Sequence, residues 1–295
     1  MASVGIVRTC VVRSQLTQIP SLKASTELLA CLQTLPKAAN RGNMHLMYEP
    51  RFYFDRLAAA FVRGVNRDPL LAYPHDDSLR LDAPLEDLNE DDLEKIVRSG
   101  IAAGLRLHRF KRTNELPRVA KVLAILQGIE PTNLLDVGSG HGTFLWPLID
   151  AFPDLKVTAV DKEEGRVGVV QAVSRGGIER LRGGIEDATR LSFEDSSFDV
   201  VTILEVIEHV PEAMKALAEA VRVARRCVII SVPAREDHLP HTHLFSQERL
   251  TEMMQLAGVS RITTDTVQNH LIMIGKISRG ATLPAGSGAR EDQSP

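Results

Sequence analysis

The chain has 295 residues, 44% of them apolar and 25% charged, with 35 Lys and Arg against 38 Asp and Glu. Length and composition exclude a disordered or fibrous protein and suffice for a core that needs no covalent staple. Cys10, Cys31 and Cys227 form no CxxC pair, the net charge of −3 gives no general pull towards nucleic acid, and no apolar run nears a membrane span of ~18 residues. These bounds describe an enzyme-sized fold, expected in the cytoplasm.

Residues 1–43 carry Arg8, Arg13, Lys23, Lys37 and Arg41 against a single acid, Glu27, with scattered Ser and Thr. The stretch reads as a flexible extension or as an organellar targeting leader. Residues 44–128 read as a helical cap or substrate region. Asn89 is a good N-cap, followed by Glu90, Asp91 and Asp92 and an apolar stripe of Leu93, Ile96, Val97 and Ile101. A second helix carries Leu116, Val119, Val122, Leu123 and Leu126 and ends at Gly128. Between the two helices, Arg106, His108, Arg109, Lys111, Arg112, Arg118 and Lys121 are opposed only by Glu115. Such a cluster is either a solvated helix face or a phosphate-holding surface.

Over residues 129–276 short apolar runs alternate with amphipathic helices. The strand-like runs are Leu134–Val137, Val157–Val160, Val200–Leu204 and Val228–Val232, apolar throughout as doubly covered strands are. Pro211 is expected at the first position of a helix bearing Leu217, Ala220 and Val221, and Ser246 caps another that ends before Gly258. Arg261–Thr264 and Leu271–Ile274 follow with no long helix between them and read as an edge hairpin. Residues 277–295 read as a disordered tail. The whole predicts an α/β protein with three layers, a mostly parallel sheet and an N-terminal helical cap.

The sharpest local signal is Leu134-Leu135-Asp136-Val137-Gly138-Ser139-Gly140-His141-Gly142-Thr143, a buried strand running into a glycine-rich turn. Glycine serves there because the turn needs backbone angles a Cβ disfavours and a ligand must touch main chain. A helix starting near Gly142 would add free N–H groups. The loop departs from GxGxxG, since Thr143 stands at its sixth position. The second strand ends at Asp161, where a carboxylate can accept from both ribose hydroxyls.

With Gly184-Ile185-Glu186-Asp187-Ala188 further on, the chain resembles the class I S-adenosylmethionine (SAM)-dependent methyltransferases over about residues 134–276. The resemblance implies a Rossmann-like sheet whose first and fourth strands lie side by side. It also implies SAM as cofactor, with Asp136 orienting the methionine amino group and the main chain of Gly138, Ser139 and Gly140 cradling the ligand. Asp161 would hold the ribose, Asp187 the adenine amino group, and the Ala188 N–H the adenine ring, with Glu205 as a further cofactor contact.

Directly after the Val200–Leu204 run stands Glu205-Val206-Ile207-Glu208-His209. In one helical turn, Glu205, Glu208 and His209 would share a side, and His238-Leu239-Pro240-His241-Thr242-His243 leaves the neighbouring strand at the same edge. The element resembles Glu-x-x-Glu-His in ubiquinone-pathway O-methyltransferases and in small-RNA terminal ribose 2′-O-methyltransferases. That implies a Mg or Mn ion on Glu205, Glu208, His209 and His243. The metal-free alternative makes His209 a base beside Glu208. The favoured acceptor is an oxygen of a small molecule; RNA ribose methylation and a SAM-binding partner subunit without chemistry are the alternatives.

Overall fold

The computed structural model describes residues 53–112, 116–234 and 244–278. The expectations for residues 1–43, for the tail from Arg279 and for His238, His241 and His243 lie outside the described residues. Strands β1 (Asn133–Val137), β2 (Lys156–Asp161), β3 (Leu181–Ile185), β4 (Phe198–Leu204), β5 (Ala224–Pro233), β6 (Arg261–Val267) and β7 (His270–Lys276) form one sheet in the order β3-β2-β1-β4-β5-β7-β6. The first five are parallel, and β7 and β6 close the edge antiparallel.

Alternate side chains of each inner strand enter different apolar layers. Leu134, Val157, Ala159, Val200 and Ile229 belong to one core; Leu135, Val137, Val160, Val201, Ile203, Val228 and Ile230 belong to the other. On the first face lie α3 (Pro117–Ile129), α4 (Leu145–Ala151) and α5 (Glu164–Arg175). On the second lie α6 (Ala213–Val223) and α7 (Gln247–Leu256). The predicted three-layer α/β architecture with its edge hairpin is the observed one.

The sequence reading missed β3. Its Arg182-Gly183-Gly184 core has little strand propensity, yet glycine is what lets the strand approach α5. A Cβ on Gly183 would stand 3.0 Å from a Val170 methyl. Two helix starts also differ. Helix α6 begins at Ala213, with Pro211 in the preceding turn, and α4 begins at Leu145 rather than near Gly142. The two predicted caps are present: Asn89 accepts from Asp92 N at the head of α2 (Glu90–Ala102), and Ser246 accepts from Arg249 N at the head of α7.

The N-terminal helices share the core of the sheet. Helix α1 (Asp55–Asn66) is buried from Leu57 to Val65 and packs on α5 through small residues. A Cβ on Gly64 would lie 1.7 Å from the Ala172 carbonyl oxygen, and one on Gly176 equally close to that of Ala60. Helix α2 packs in turn on α1, its Gly100 facing Val62. Of the expected cap, the N-terminal turns of α3 reach the edge where β1 and β4 end, as the cavity described next shows.

Candidate functional site

Connections from β1 and β4 run in opposite directions across the sheet, which opens a crevice beyond their C-terminal ends. Arg118, Val119 and Val122 of α3, Asp136, Gly138, Ser139, Gly140, His141, Thr143 and Phe144 of the glycine turn, Leu204 and Glu205 after β4, and Ser231 of β5 line a cavity there. Thus Asp136, Gly138, Ser139, Gly140 and Glu205 come together as the sequence led one to expect. Asp161, Asp187 and Ala188 stand outside this wall, further along the same edge towards β3.

The glycine turn is built by constraint. Gly138, Gly140 and Gly142 have φ of 74°, 56° and 85°. A Cβ on Gly138 would meet a Val206 methyl at 2.4 Å, and one on Gly142 would meet Trp146 Nε1 at 2.0 Å. At Gly140 the nearest atom to such a Cβ is 3.9 Å away, so there the missing side chain leaves open space over bare main chain. Trp146 Nε1 donates to the His141 carbonyl at 3.0 Å and ties the turn to α4.

Asp136 is buried, and its Oδ1 accepts from Thr202 Oγ1 at 2.7 Å. Burial pushes its carboxyl up to about 7; the nearby Asp161 charge adds to this, while the Thr202 bond works against it. Asp161 holds the turn directly: its Oδ2 accepts from Gly140 N at 2.9 Å, its Oδ1 from Glu163 N at 3.0 Å, and Arg166 Nη1 stands 3.3 Å away. Asp187 is exposed, and its Oδ1 takes the N–H and hydroxyl of Thr189, which hold its carboxyl below the usual range.

The expected one-sided cluster of Glu205, Glu208 and His209 does not form. Only Ile207–His209 make a helical turn, of the 3-10 type, and Glu205 precedes it with φ 57°. The Glu205 carboxylate turns to other partners: Ser231 Oγ donates to Oε1 at 2.6 Å, and His270 Nε2 lies 3.3 Å from Oε2. Glu208 is buried, with His209 Nε2 4.0 Å from its Oε1, and the His209 side chain is largely solvent-facing. Among the described residues no group of three His, Cys, Asp or Glu is disposed to hold a metal ion, and these side chains do not fit the expected Mg or Mn site.

Sequence reasoning did not single out Ser231, His270, Thr143 or Phe144, nor the place of Arg118 on the cavity wall. Ser231 and His270 come from separate strands that meet only in the folded sheet. Arg118 lay within the basic cluster, and its spacing did not distinguish it from Lys121, which instead pairs with Asp265 of β6.

Open doubly wound sheets of this order, with a glycine turn after β1 and an acid after β2, define a nucleotide-binding class. Residues 135–230 match the family model described as a methyltransferase domain. The chain is 32% identical over 105 residues to a malonyl-[acyl-carrier protein] O-methyltransferase of Geobacter sulfurreducens, covering 35% of this chain and 39% of that protein. It is 37% identical over 94 residues to a ubiquinone/menaquinone biosynthesis C-methyltransferase of Brucella abortus, covering 31% and 35%. A SAM-dependent methyltransferase from Aquifex aeolicus superposes with a TM-score of 0.49 at 23% identity, over 56% of this chain and 92% of that one. The chain spans less than two fifths of the length of the two curated relatives. Over residues 135–230, and in the order of its sheet, the chain is similar to the class I SAM-dependent methyltransferases. Among the described residues no helix is long and apolar enough to cross a membrane.

Proposed function

We propose that this protein is a methyltransferase that moves the methyl group of SAM to an oxygen of a small-molecule acceptor. The observation that carries the reading is the open, glycine-bared turn between the buried Asp136 and Asp161 at the crevice of β1 and β4. It fits a ligand that needs main-chain contact at one strand tip and carboxylates at two. Asp136 would hold the methionine ammonium, Gly138 to Gly140 the main-chain contacts, Asp161 the ribose hydroxyls, and Asp187 with the Ala188 N–H the adenine. Arg118 is the arginine on the cavity wall and suits the methionine carboxylate.

The sulfonium, when bound, supplies an activated leaving group, which leaves the protein to align the acceptor and manage its proton. Two carboxylate–imidazole pairs stand at this edge, Glu208–His209 and Glu205–His270. Either can take a hydroxyl proton; Glu205 is the member on the cavity wall. No step is routed through Mg or Mn, because Glu205 is engaged by Ser231 and His270 rather than turned towards Glu208. The relatives include both O- and C-methyltransferases. The oxygen is favoured here because carboxylate–imidazole pairs suit deprotonating a hydroxyl. A cytoplasmic setting is part of the same proposal.

Calorimetry with S-adenosylhomocysteine, repeated with Mn or Mg and with chelator, tests the donor site and the ion separately. Binding independent of the ion is expected, and no binding would end the reading. Mass-spectrometric transfer assays on catechols against short RNAs then test the acceptor. The RNA alternative draws on the basic segment beside the glycine turn, and exclusive transfer to RNA would replace the small-molecule reading.

A further inference from the structure

A second cavity, of about 750 Å³, lies at the opposite edge of the sheet from the glycine turn. Arg56, Arg63 and Arg67 of α1 and its C-cap line it, together with Glu86, Asp150 at the end of α4, and Gly177 to Arg180 just ahead of β3. At ~3.3 Å per residue, the six residues of β2 put about 20 Å between this edge and the Asp161 end. The two cavities are therefore separate sites.

Four arginines converge here, and among the described residues none of the four is ion-paired. Arg63 is fully buried. Its Nε donates to the Leu81 carbonyl at 2.9 Å and its Nη2 to the Ala83 carbonyl, but its Nη1 has no partner. That nitrogen lies against cavity wall: a Cβ on Gly177, whose φ is 124°, would come 3.5 Å from it. Arg180 is half-buried, with Nη2 donating to the Ile149 carbonyl and a buried Nε without a partner. Arg67 is exposed and gives Nη1 to the Arg175 carbonyl, and Arg56 is exposed with no bond to another described residue.

A buried guanidinium with no counter-charge is costly, and an unsatisfied buried donor in a folded protein points to a missing partner. Burial and then Arg67 hold Arg63 below its ordinary range, against Asp82 and Glu86; burial does the same to Arg180, with Arg56 adding to it and Asp154 and Asp150 opposing. The acids on the wall, Glu86, Asp150 and Glu179, are all exposed, and Asp150 lies 3.6 Å from Arg112. The buried charge of the cavity is thus positive, while its acids face solvent.

We propose that this cavity is a second binding site, for a phosphate-bearing small molecule, with Arg56, Arg67 and Arg180 at the phosphate and the buried charge of Arg63 behind them. Guanidinium groups match phosphate oxygens in pairs, and the volume is that of a small-molecule pocket. The inference does not rest on the donor-site reading. The full chain is titrated by calorimetry with inorganic pyrophosphate and with malonate, each with and without saturating S-adenosylhomocysteine. One saturable pyrophosphate site is expected, tighter than malonate and unaffected by S-adenosylhomocysteine. Arg56→Gln, which breaks no bond of the fold, and Arg180→Gln should each weaken pyrophosphate about fivefold or more. Glu86→Gln, which removes a like charge from the wall, should tighten it about twofold, a gain that a merely structural role would not produce. Absence of saturable binding, equal affinity in the parent and all variants, or displacement by S-adenosylhomocysteine overturns the proposal. Malonate bound more tightly than pyrophosphate overturns the phosphate assignment, and a short RNA bound a hundredfold more tightly than pyrophosphate overturns the small-molecule form. Failure of S-adenosylhomocysteine itself to bind would strike the donor-site reading and leave this one standing.

Discussion

Replacing Asp136 by Asn should stabilise the protein and disable it together. The carboxyl sits in the folded chain at about 7 against an ordinary 3.8, a difference of about 3 units, so ionising it in place costs at most about 4 kcal/mol. The folded-state value lies above the unfolded one. Its contribution to stability is therefore complete below pH 3.8 and is lost as pH rises through 7, because the native state retains a proton that the unfolded chain has released. Asparagine does not ionise, and its amide oxygen can still accept from Thr202 Oγ1. Urea unfolding at pH 5 and pH 8 should show Asp136→Asn pulling ahead of the parent by about 2.5 kcal/mol more at the higher pH. Calorimetry at pH 8 should meanwhile show S-adenosylhomocysteine affinity down by about tenfold or more, as a charged partner for the ammonium is gone. A stability difference that is the same at both pH values, or a parent more stable at pH 8, would refute the reasoning. Such an outcome would mean that the carboxyl is hydrated or paired.

Asp161→Ala should reduce donor affinity by more than tenfold in the same calorimetry, since it removes the proposed ribose acceptor and frees Gly140 N at once; unchanged affinity would remove both roles. His270→Gln should lower the rate of methyl transfer severalfold or more while donor affinity holds, and His209→Gln run beside it tells which imidazole takes the proton. Equal rates for the parent and both variants would leave neither pair as the base. Gly64→Ala should cost roughly 2–4 kcal/mol or prevent folding, because its Cβ would overlap the Ala172 carbonyl of α5 and force the helices apart. Thermal melting reads this directly, and a melting temperature within a degree or two of the parent would mean that α1 is not seated on α5 as described.

Much of this molecule could be read along the chain because its physics is local. A strand buried on both faces has to be apolar throughout, so β1, β2, β4 and β5 declared themselves. Asn89 and Ser246 cap helices by bonding within three residues, and the glycine turn after β1 is a run of neighbours whose backbone angles exclude most other residues. Strand β3 was hidden because its selection is not local: Gly183 is there for the sake of Val170 on a different element. The seat of the N-terminal helices is hidden for a similar reason: Gly64 of α1 meets Ala172 of α5, far along the chain.

The donor site shows the same division. The amino-acid sequence by itself determined the fold class and the presence of Asp136, the glycines and Asp161 at the tips of successive strands, since each is fixed by its distance from a strand end. Only the tertiary structure decided what Glu205 does. Its left-handed backbone turns it out of the helical turn that Glu208 and His209 occupy and hands its carboxylate to Ser231 and His270, two residues brought from β5 and β7. Likewise, the tilted contact of Phe110 with Trp146 ties the Leu107–Phe110 turn to α4, a pairing that no local spacing announces. Contacts between residues far apart in the chain depend on sheet order and helix packing, and those are settled by the mutual fit of surfaces rather than by any one segment.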